Sequence, residues 1–162
     1  MLQAFIDWTI GTGLGTTIHN TTWAFPIGET LHFLGLSLLI GTVSLFDLRL
    51  LGVLKRLPYA PLYRLLSRWG VAGFVINLLT GIMFWFYQPD FYALDQALPF
   101  GLKLLFILLA GINVLVFYKT VYPEVMALGP EEEAPPLAKA IAGTSLFLWF
   151  GVLFFGRMIM YT

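Results

Sequence analysis

The order of apolar and polar residues along the chain predicts four membrane-spanning helices. The apolar stretches lie at roughly 23–48, 68–88, 100–120 and 138–161. Each supplies the about 20 residues that a helix needs to cross a bilayer. Pro26, Pro89 and Pro99 lie at the ends of these stretches, where a helix tolerates proline. The pattern therefore predicts an all-α membrane protein whose transmembrane domain, residues 23–162, is a four-helix bundle.

Residues 1–22 form a separate segment before the first span. Residues 1–10 are predicted to form a short helix on the outer membrane surface, with Trp8 at the interface between lipid and water. We interpret the Gly- and Thr-rich residues 11–17 as a link from this helix to His19 and the first span.

Composition agrees with a membrane protein. Hydrophobic residues make up 59% of the chain and charged residues 11%, whereas a soluble domain has about 25% charged residues. The formal net charge is zero, which gives no reason to expect a nucleic-acid partner. The chain has no cysteine, so disulfides, iron–sulfur clusters and thiolate metal sites are excluded.

The charges of the loops predict the orientation in the membrane. Loop 49–67 carries several Arg and Lys residues and no acid, whereas loop 89–99 carries Asp90 and Asp95 and no base. By the positive-inside rule the first of these loops is cytoplasmic and the second is outside. We therefore predict a multi-pass protein of the bacterial inner membrane with both termini outside.

Each span carries a stripe of small or polar residues, which we expect to face the interior of the bundle. The stripe of the first span consists of Gly28, Glu29, His32, Gly35, Thr42 and Asp47, and that of the second includes Gly70, Gly73, Asn77 and Gly81. Asn77 and Asn113 are predicted to meet as interhelical hydrogen-bond partners. We interpret Asp47 and Arg49 as an ion pair at the inner end of the first span.

The outer half of the bundle is predicted to hold a cluster of ionisable residues. Such side chains cost roughly 2.5–3.5 kcal/mol each at the centre of a membrane helix, so they are rarely without a role. Glu29 and His32 share one helix face, and Lys103 and Arg157 lie at a similar depth. An ion pair of Glu29 with either cation is one explanation of the acid. His19 is either solvated or folded over this cluster.

Several stretches resemble a family of uncharacterised bacterial four-helix inner-membrane proteins. The pieces in order are Phe25-Pro26 with Glu29 and His32, Asp47-Leu48-Arg49-Leu50-Leu51-Gly52, Lys103-Leu104-Leu105, Ala110-Gly111-Ile112-Asn113 and Gly156-Arg157-Met158-Ile159. The resemblance spans about residues 23–160 and implies this topology, with no established activity. Members often carry a histidine at the end of the third span, where this chain has Tyr118 and Lys119.

Three functions remain open at this stage. The first is electron transfer by haem b, with His32 as an axial ligand and Lys103 and Arg157 near the propionates; His19, a methionine, a second subunit or no residue would supply the other ligand. The second is ion or proton transport, or metal binding through His32. The third is a structural or accessory role in a homo-oligomer or larger membrane complex. No catalytic motif is recognisable, so an enzymatic activity is left open.

Overall fold

The computed structural model describes residues 2–89 and 98–161. Most of these residues lie in helices: α1 (Leu2–Gly11), α2 (Gly13–Asn20), α3 (Ala24–Leu50), α4 (Tyr59–Tyr87), α5 (Leu98–Thr120), α6 (Tyr122–Ala127) and α7 (Pro136–Met158), followed by a 3₁₀ turn (Ile159–Tyr161). Within this part of the chain, α3, α4, α5 and α7 are long and apolar enough to cross a membrane. The predicted all-α architecture with four spanning helices is confirmed.

α4 extends further towards the N-terminus than the second predicted span. The second span was expected to begin near residue 68, but α4 begins at Tyr59 and has 29 residues. Pro61 lies in its first turn, where proline removes no helical hydrogen bond. Arg64 and Arg68 therefore lie on a helix rather than in a loop. Asp90 and Asp95 of the next loop are outside the described residues.

The segment before the first span is helical over most of its length. Residues 11–17 were expected to be a link, but α2 begins at Gly13. Thr12 caps this helix, since its hydroxyl accepts a hydrogen bond from the backbone N–H of Gly15 at 3.0 Å. The hydroxyl of Thr17 donates to the carbonyl oxygen of Gly13 at 2.7 Å, within the helix. The threonines are thus compatible with a helix because their hydroxyls bond locally.

The bundle consists of two closely packed helix pairs. α3 packs on α4, and α5 packs on α7, while contacts between α3 and α7 join the two pairs. Gly35 and Gly73 face each other in the α3–α4 pair, where a Cβ atom built on Gly73 would lie 2.6 Å from the carbonyl oxygen of Gly35. Gly81, predicted on the same stripe, instead faces open space. α4 and α5 scarcely approach each other, so a cleft remains between them.

Arg49 connects the loops at residues 51–58 and 128–135 to the C-terminal end of α3. Its side chain is fully buried, and its nitrogens donate to the Leu57 carbonyl at 2.6 Å, the Tyr59 hydroxyl at 2.7 Å and the Glu132 carbonyl at 3.4 Å. The predicted ion pair with Asp47 is wrong. Residues two apart on a helix point in different directions, so Asp47 faces away from these partners.

An exposed ion-pair network joins the same two loops. Glu133 bonds to Lys139 at 2.7 Å and to Lys55 at 2.8 Å. Hydrogen bonds and charge from Lys139 and Lys55 lower the pKa of Glu133 from its usual 4.5 to about 2. The carboxylate therefore stays ionised throughout the physiological range, and the network adds a second connection between the loops at residues 51–58 and 128–135.

Candidate functional site

His32 lies in the N-terminal half of α3, and its Nε2 atom has no hydrogen-bond partner among the described residues. Its Nδ1 atom lies 2.7 Å from the hydroxyl of Thr80 on α4. That hydroxyl donates its single hydrogen to the Ile76 carbonyl at 2.7 Å, so it accepts from the Nδ1–H group of His32. In the neutral imidazole the Nε2 atom then carries the lone pair. A histidine held in this way is arranged to bind a metal or accept a proton.

His19 adopts the same tautomer beside the C-terminal end of α4. Its Nδ1 atom lies 3.0 Å from the carbonyl oxygen of Tyr87, and a carbonyl oxygen only accepts hydrogen bonds. The ring is exposed, and it is connected to His32 through successive ring contacts at Tyr87, Phe25 and Phe84, with centroids 5.4–6.2 Å apart. Aromatic rings therefore lie along the path between the two histidines.

The predicted ionisable cluster is assembled only in part. The ammonium group of Lys103 lies close enough to His32 for their charges to interact, and its side chain packs against Gly156. Arg157 is exposed and donates to the hydroxyl of Tyr161 at 3.4 Å. Glu29 pairs with neither cation, because the ion pairs found among the described residues all involve Glu133. The ion pair considered as one explanation of Glu29 is therefore not formed.

The described ranges contain no group of three or more His, Cys, Asp or Glu side chains that is arranged to hold a metal ion. A bare transition-metal ion commonly takes three or four protein ligands. His32 is therefore not part of a multidentate site within residues 2–89 and 98–161. A metal ion bound at its Nε2 atom must receive most of its other ligands from outside these residues.

The two asparagines do not meet, contrary to the prediction. The side-chain amide of Asn77 donates to the Gly73 carbonyl of its own helix at 2.9 Å and lies against Gly35 of α3. The amide of Asn113 donates to the Ile141 carbonyl of α7 at 3.1 Å. Asn77 therefore bonds within the α3–α4 pair and Asn113 within the α5–α7 pair.

The cleft between α4 and α5 has a volume of about 380 Å³ and an almost entirely apolar lining from four helices. Its polar groups include Asp47, Asn113 and Ser145. The Ser145 hydroxyl lies near the Asp47 carboxyl group, and Oδ2 of Asp47 has no hydrogen-bond partner among the described residues. Asp47 was predicted as a structural residue at the end of a helix, but it belongs to the wall of a cavity.

Two partners in these sites were missed at the sequence level. Thr80, which orients His32, lies three residues after Asn77, on the polar side of α4. Tyr59, which stacks on Arg49 with its ring centroid 3.7 Å from the guanidinium carbon, stands in what was expected to be a loop. The three-residue spacing from Asn77 could have indicated that Thr80 lies on the polar side of α4. No feature of the sequence indicated the role of Tyr59.

No protein-family model, no curated protein and no solved structure matches this chain. The resemblance to a bacterial inner-membrane family therefore stays a prediction, and the function must be argued from the residues themselves.

Proposed function

We propose that this integral membrane protein binds haem b, with Nε2 of His32 as an axial ligand, and acts in electron transfer. The observation that carries the proposal is the hydrogen bond from Nδ1 of His32 to Thr80, which leaves the Nε2 lone pair available. Histidines that bind metals usually donate their other ring N–H to a fixed acceptor, which sets the tautomer and the ring orientation.

Haem suits this histidine better than a bare ion does. The porphyrin supplies four of the ligands of its iron, so one protein imidazole is sufficient. The absence of a larger ligand group in the described residues weighs against a bare ion and leaves the haem hypothesis intact. Because the chain has no cysteine, a haem would be held without thioether bonds, which is the b-type arrangement.

Lys103 supplies a positive charge beside the proposed ligand. Its ammonium group interacts electrostatically with His32 and has no ion-pair partner among the described residues. A propionate would neutralise this cation, which would otherwise lie uncompensated in the apolar part of the bundle. Met83 is packed against Gly28, since a Cβ atom built on Gly28 would lie 2.9 Å from the Met83 sulfur. We therefore propose that His32 is the single ligand that this chain supplies to the haem iron.

The test is an absorption spectrum of the purified protein from haem-supplied cells, first oxidised and then reduced. We expect a Soret band in the wild type and its loss in His32→Ala. Thr80→Val should retain the haem but bind it roughly 10- to 100-fold more weakly, as is typical when a partner of a ligand is removed. His19→Ala is the matched control and should keep the band.

A colourless wild-type protein would contradict the haem proposal. The second candidate is then proton transfer by His32, because its Nε2 atom can accept a proton while its Nδ1–H group is bonded to Thr80. Dye-loaded vesicles would show a proton flux that His32→Ala removes. A variant that loses only thermal stability would support the structural or accessory role in a larger complex.

We also propose that the loops at residues 51–58 and 128–135 face the cytoplasm of a bacterium. Both termini then lie on the outer side of the inner membrane. The basic residues near the inner ends of α3 and α4 support this orientation, among them Lys55, Arg56 and Arg64. The cysteine-free chain allows a direct test with single-cysteine variants. A membrane-impermeant maleimide should label Thr22→Cys in spheroplasts and Arg56→Cys only after permeabilisation. The reverse pattern would invert the orientation.

A further inference from the structure

We propose that the cleft between α4 and α5 binds a lipid-soluble molecule that carries a hydroxyl group, and that this hydroxyl donates a hydrogen bond to Oδ2 of Asp47. The site is separate from the proposed haem site. Asp47 lies 15 residues after His32 on the same helix, which is roughly 22 Å along the helix axis. The proposal therefore does not depend on whether His32 binds haem.

The shape of the cleft favours an apolar ligand from the lipid phase. Its volume of about 380 Å³ lies within the range of roughly 300–1,000 Å³ that is usual for small-molecule sites. It opens between two spanning helices that scarcely approach each other. Leu39, Phe74, Ile107, Val114 and Trp149 are among its apolar lining residues. A molecule dissolved in the bilayer can therefore enter from the side.

Aromatic residues close the inner end of the cleft. The hydroxyl groups of Tyr63 on α4 and Tyr118 on α5 are hydrogen-bonded to each other. Tyr63 also stacks edge-on with Phe46 at 5.3 Å and with Tyr122 at 5.4 Å between ring centroids. These contacts join the two helices at one end and leave them apart above it, so the cleft has a floor.

Asp47 provides the polar feature that identifies the ligand. The residue is only 6% exposed, and its Oδ2 atom is the one buried side-chain polar atom among the described residues that has no hydrogen-bond partner. A buried acceptor without a donor costs roughly 1–3 kcal/mol. Arg49 is turned away, and Ser145, which lies near this carboxyl group, makes no hydrogen bond to Oδ2. A ligand that donates a hydrogen bond here removes this cost.

A hydroxyl group matches the site better than a carbonyl or an ether. It donates to Oδ2 of Asp47, which neither of the other groups does. Its oxygen also accepts, and the Asn113 amide in the cleft wall has a second N–H besides the one bonded to Ile141. The remaining lining is almost entirely apolar, which suits a hydrocarbon body attached to this hydroxyl.

The experiment compares two probes that differ only in the donor. 4-Nonylphenol and its methyl ether, 4-nonylanisole, have nearly the same apolar body, so their partitioning into detergent micelles is similar. Calorimetric titration of the full-length protein should show at least tenfold tighter binding of the phenol. Asp47→Leu should reduce this ratio to about one without lowering the melting temperature, because it replaces an unsatisfied buried carboxyl group with an apolar side chain of similar size.

A second pair of variants tests the cleft itself. Gly111 lines the cleft, and a Cβ atom built on it meets nothing within 4 Å, so Gly111→Leu should fill the space and abolish binding of both probes. Gly143 on α7 is equally open but lies outside the lining, so Gly143→Leu is the matched control and should bind as the wild type does.

Four results would overturn the proposal. Equal affinity for phenol and anisole in the wild type would mean that Asp47 recognises no hydroxyl. Binding that persists in Gly111→Leu would place the probes elsewhere. Much tighter binding of dodecylamine than of the phenol would assign the site to cations. An Asp47→Leu chain that does not fold would make the carboxyl group structural, which also contradicts a binding role.

Discussion

Replacement of Gly73 by leucine is expected to separate α3 from α4 and to lower the free energy of unfolding by at least about 3 kcal/mol, the upper end of ordinary overpacking. A Cβ atom at Gly73 would lie 2.6 Å from both the carbonyl oxygen of Gly35 and the backbone nitrogen of Leu39. These are backbone atoms of a helix, so no side chain can rotate away to make room. The two helices must move apart along their interface.

The matched control lies on the same helix. A Cβ atom at Gly81 meets nothing within 4 Å, so Gly81→Leu should change the unfolding free energy little or raise it slightly. Unfolding in detergent, followed by circular dichroism and tryptophan fluorescence, measures both variants. Similar losses of stability in the two variants would show that helix propensity, rather than close backbone approach, governs the effect of glycine here.

The contrast between these glycines shows how far the sequence predicts the fold. Hydropathy and length identify the four spans because each is far more apolar than a soluble helix. The stripe of small residues correctly indicates an inward side at Gly35 and Gly73. It fails at Gly81 because a stripe specifies a direction on one helix, whereas packing depends on whether another helix occupies that direction at that depth.

Pairing of the helices also explains which parts of the sites were predictable. The membrane depth of His32 and Asp47 follows from counting residues along one helix. Their partners, Thr80 and Ser145, depend on how α3 is rotated against α4 and α7, which no single helix encodes. The predicted meeting of Asn77 with Asn113 fails for the same reason, since each bonds within its own helix pair.

The mismatch of Asp47 and Arg49 has a different origin. Opposite charges two residues apart on a helix do not face each other, and the sequence alone contained that information. Arg49 donates hydrogen bonds to two carbonyl groups and a tyrosine hydroxyl, so neutral acceptors stabilise its charge. Asp47 lies in the wall of the cleft, whereas Arg49 holds the two loops, so the two residues act in different parts of the molecule.

Arg49→Leu is expected to release the loops at residues 51–58 and 128–135 and to lower the free energy of unfolding by roughly 3 kcal/mol. The substitution removes donors from the Leu57 carbonyl and the Tyr59 hydroxyl, and each buried acceptor left unsatisfied costs roughly 1–3 kcal/mol. The Glu132 carbonyl loses its bond to Arg49 but keeps the one that the Tyr59 hydroxyl donates at 3.1 Å. It also removes the guanidinium that stacks on Tyr59 at 3.7 Å. Thermal unfolding and trypsin cleavage after Lys55, which lies in one of the loops, measure the two effects.

Two further variants distinguish the effect of the guanidinium hydrogen bonds of Arg49 from the effect of its positive charge. Arg49→Lys keeps the charge but has a single nitrogen, which cannot reach three acceptors in fixed directions, so it should lose most of the same stability. Arg56→Leu removes an exposed cation from the same loop and should change stability by less than about 0.5 kcal/mol. If Arg49→Lys is as stable as the wild type, the positive charge and not the hydrogen-bond geometry holds the loops. If cleavage after Lys55 is no faster in Arg49→Leu, the Glu133 ion pairs alone are sufficient to hold them.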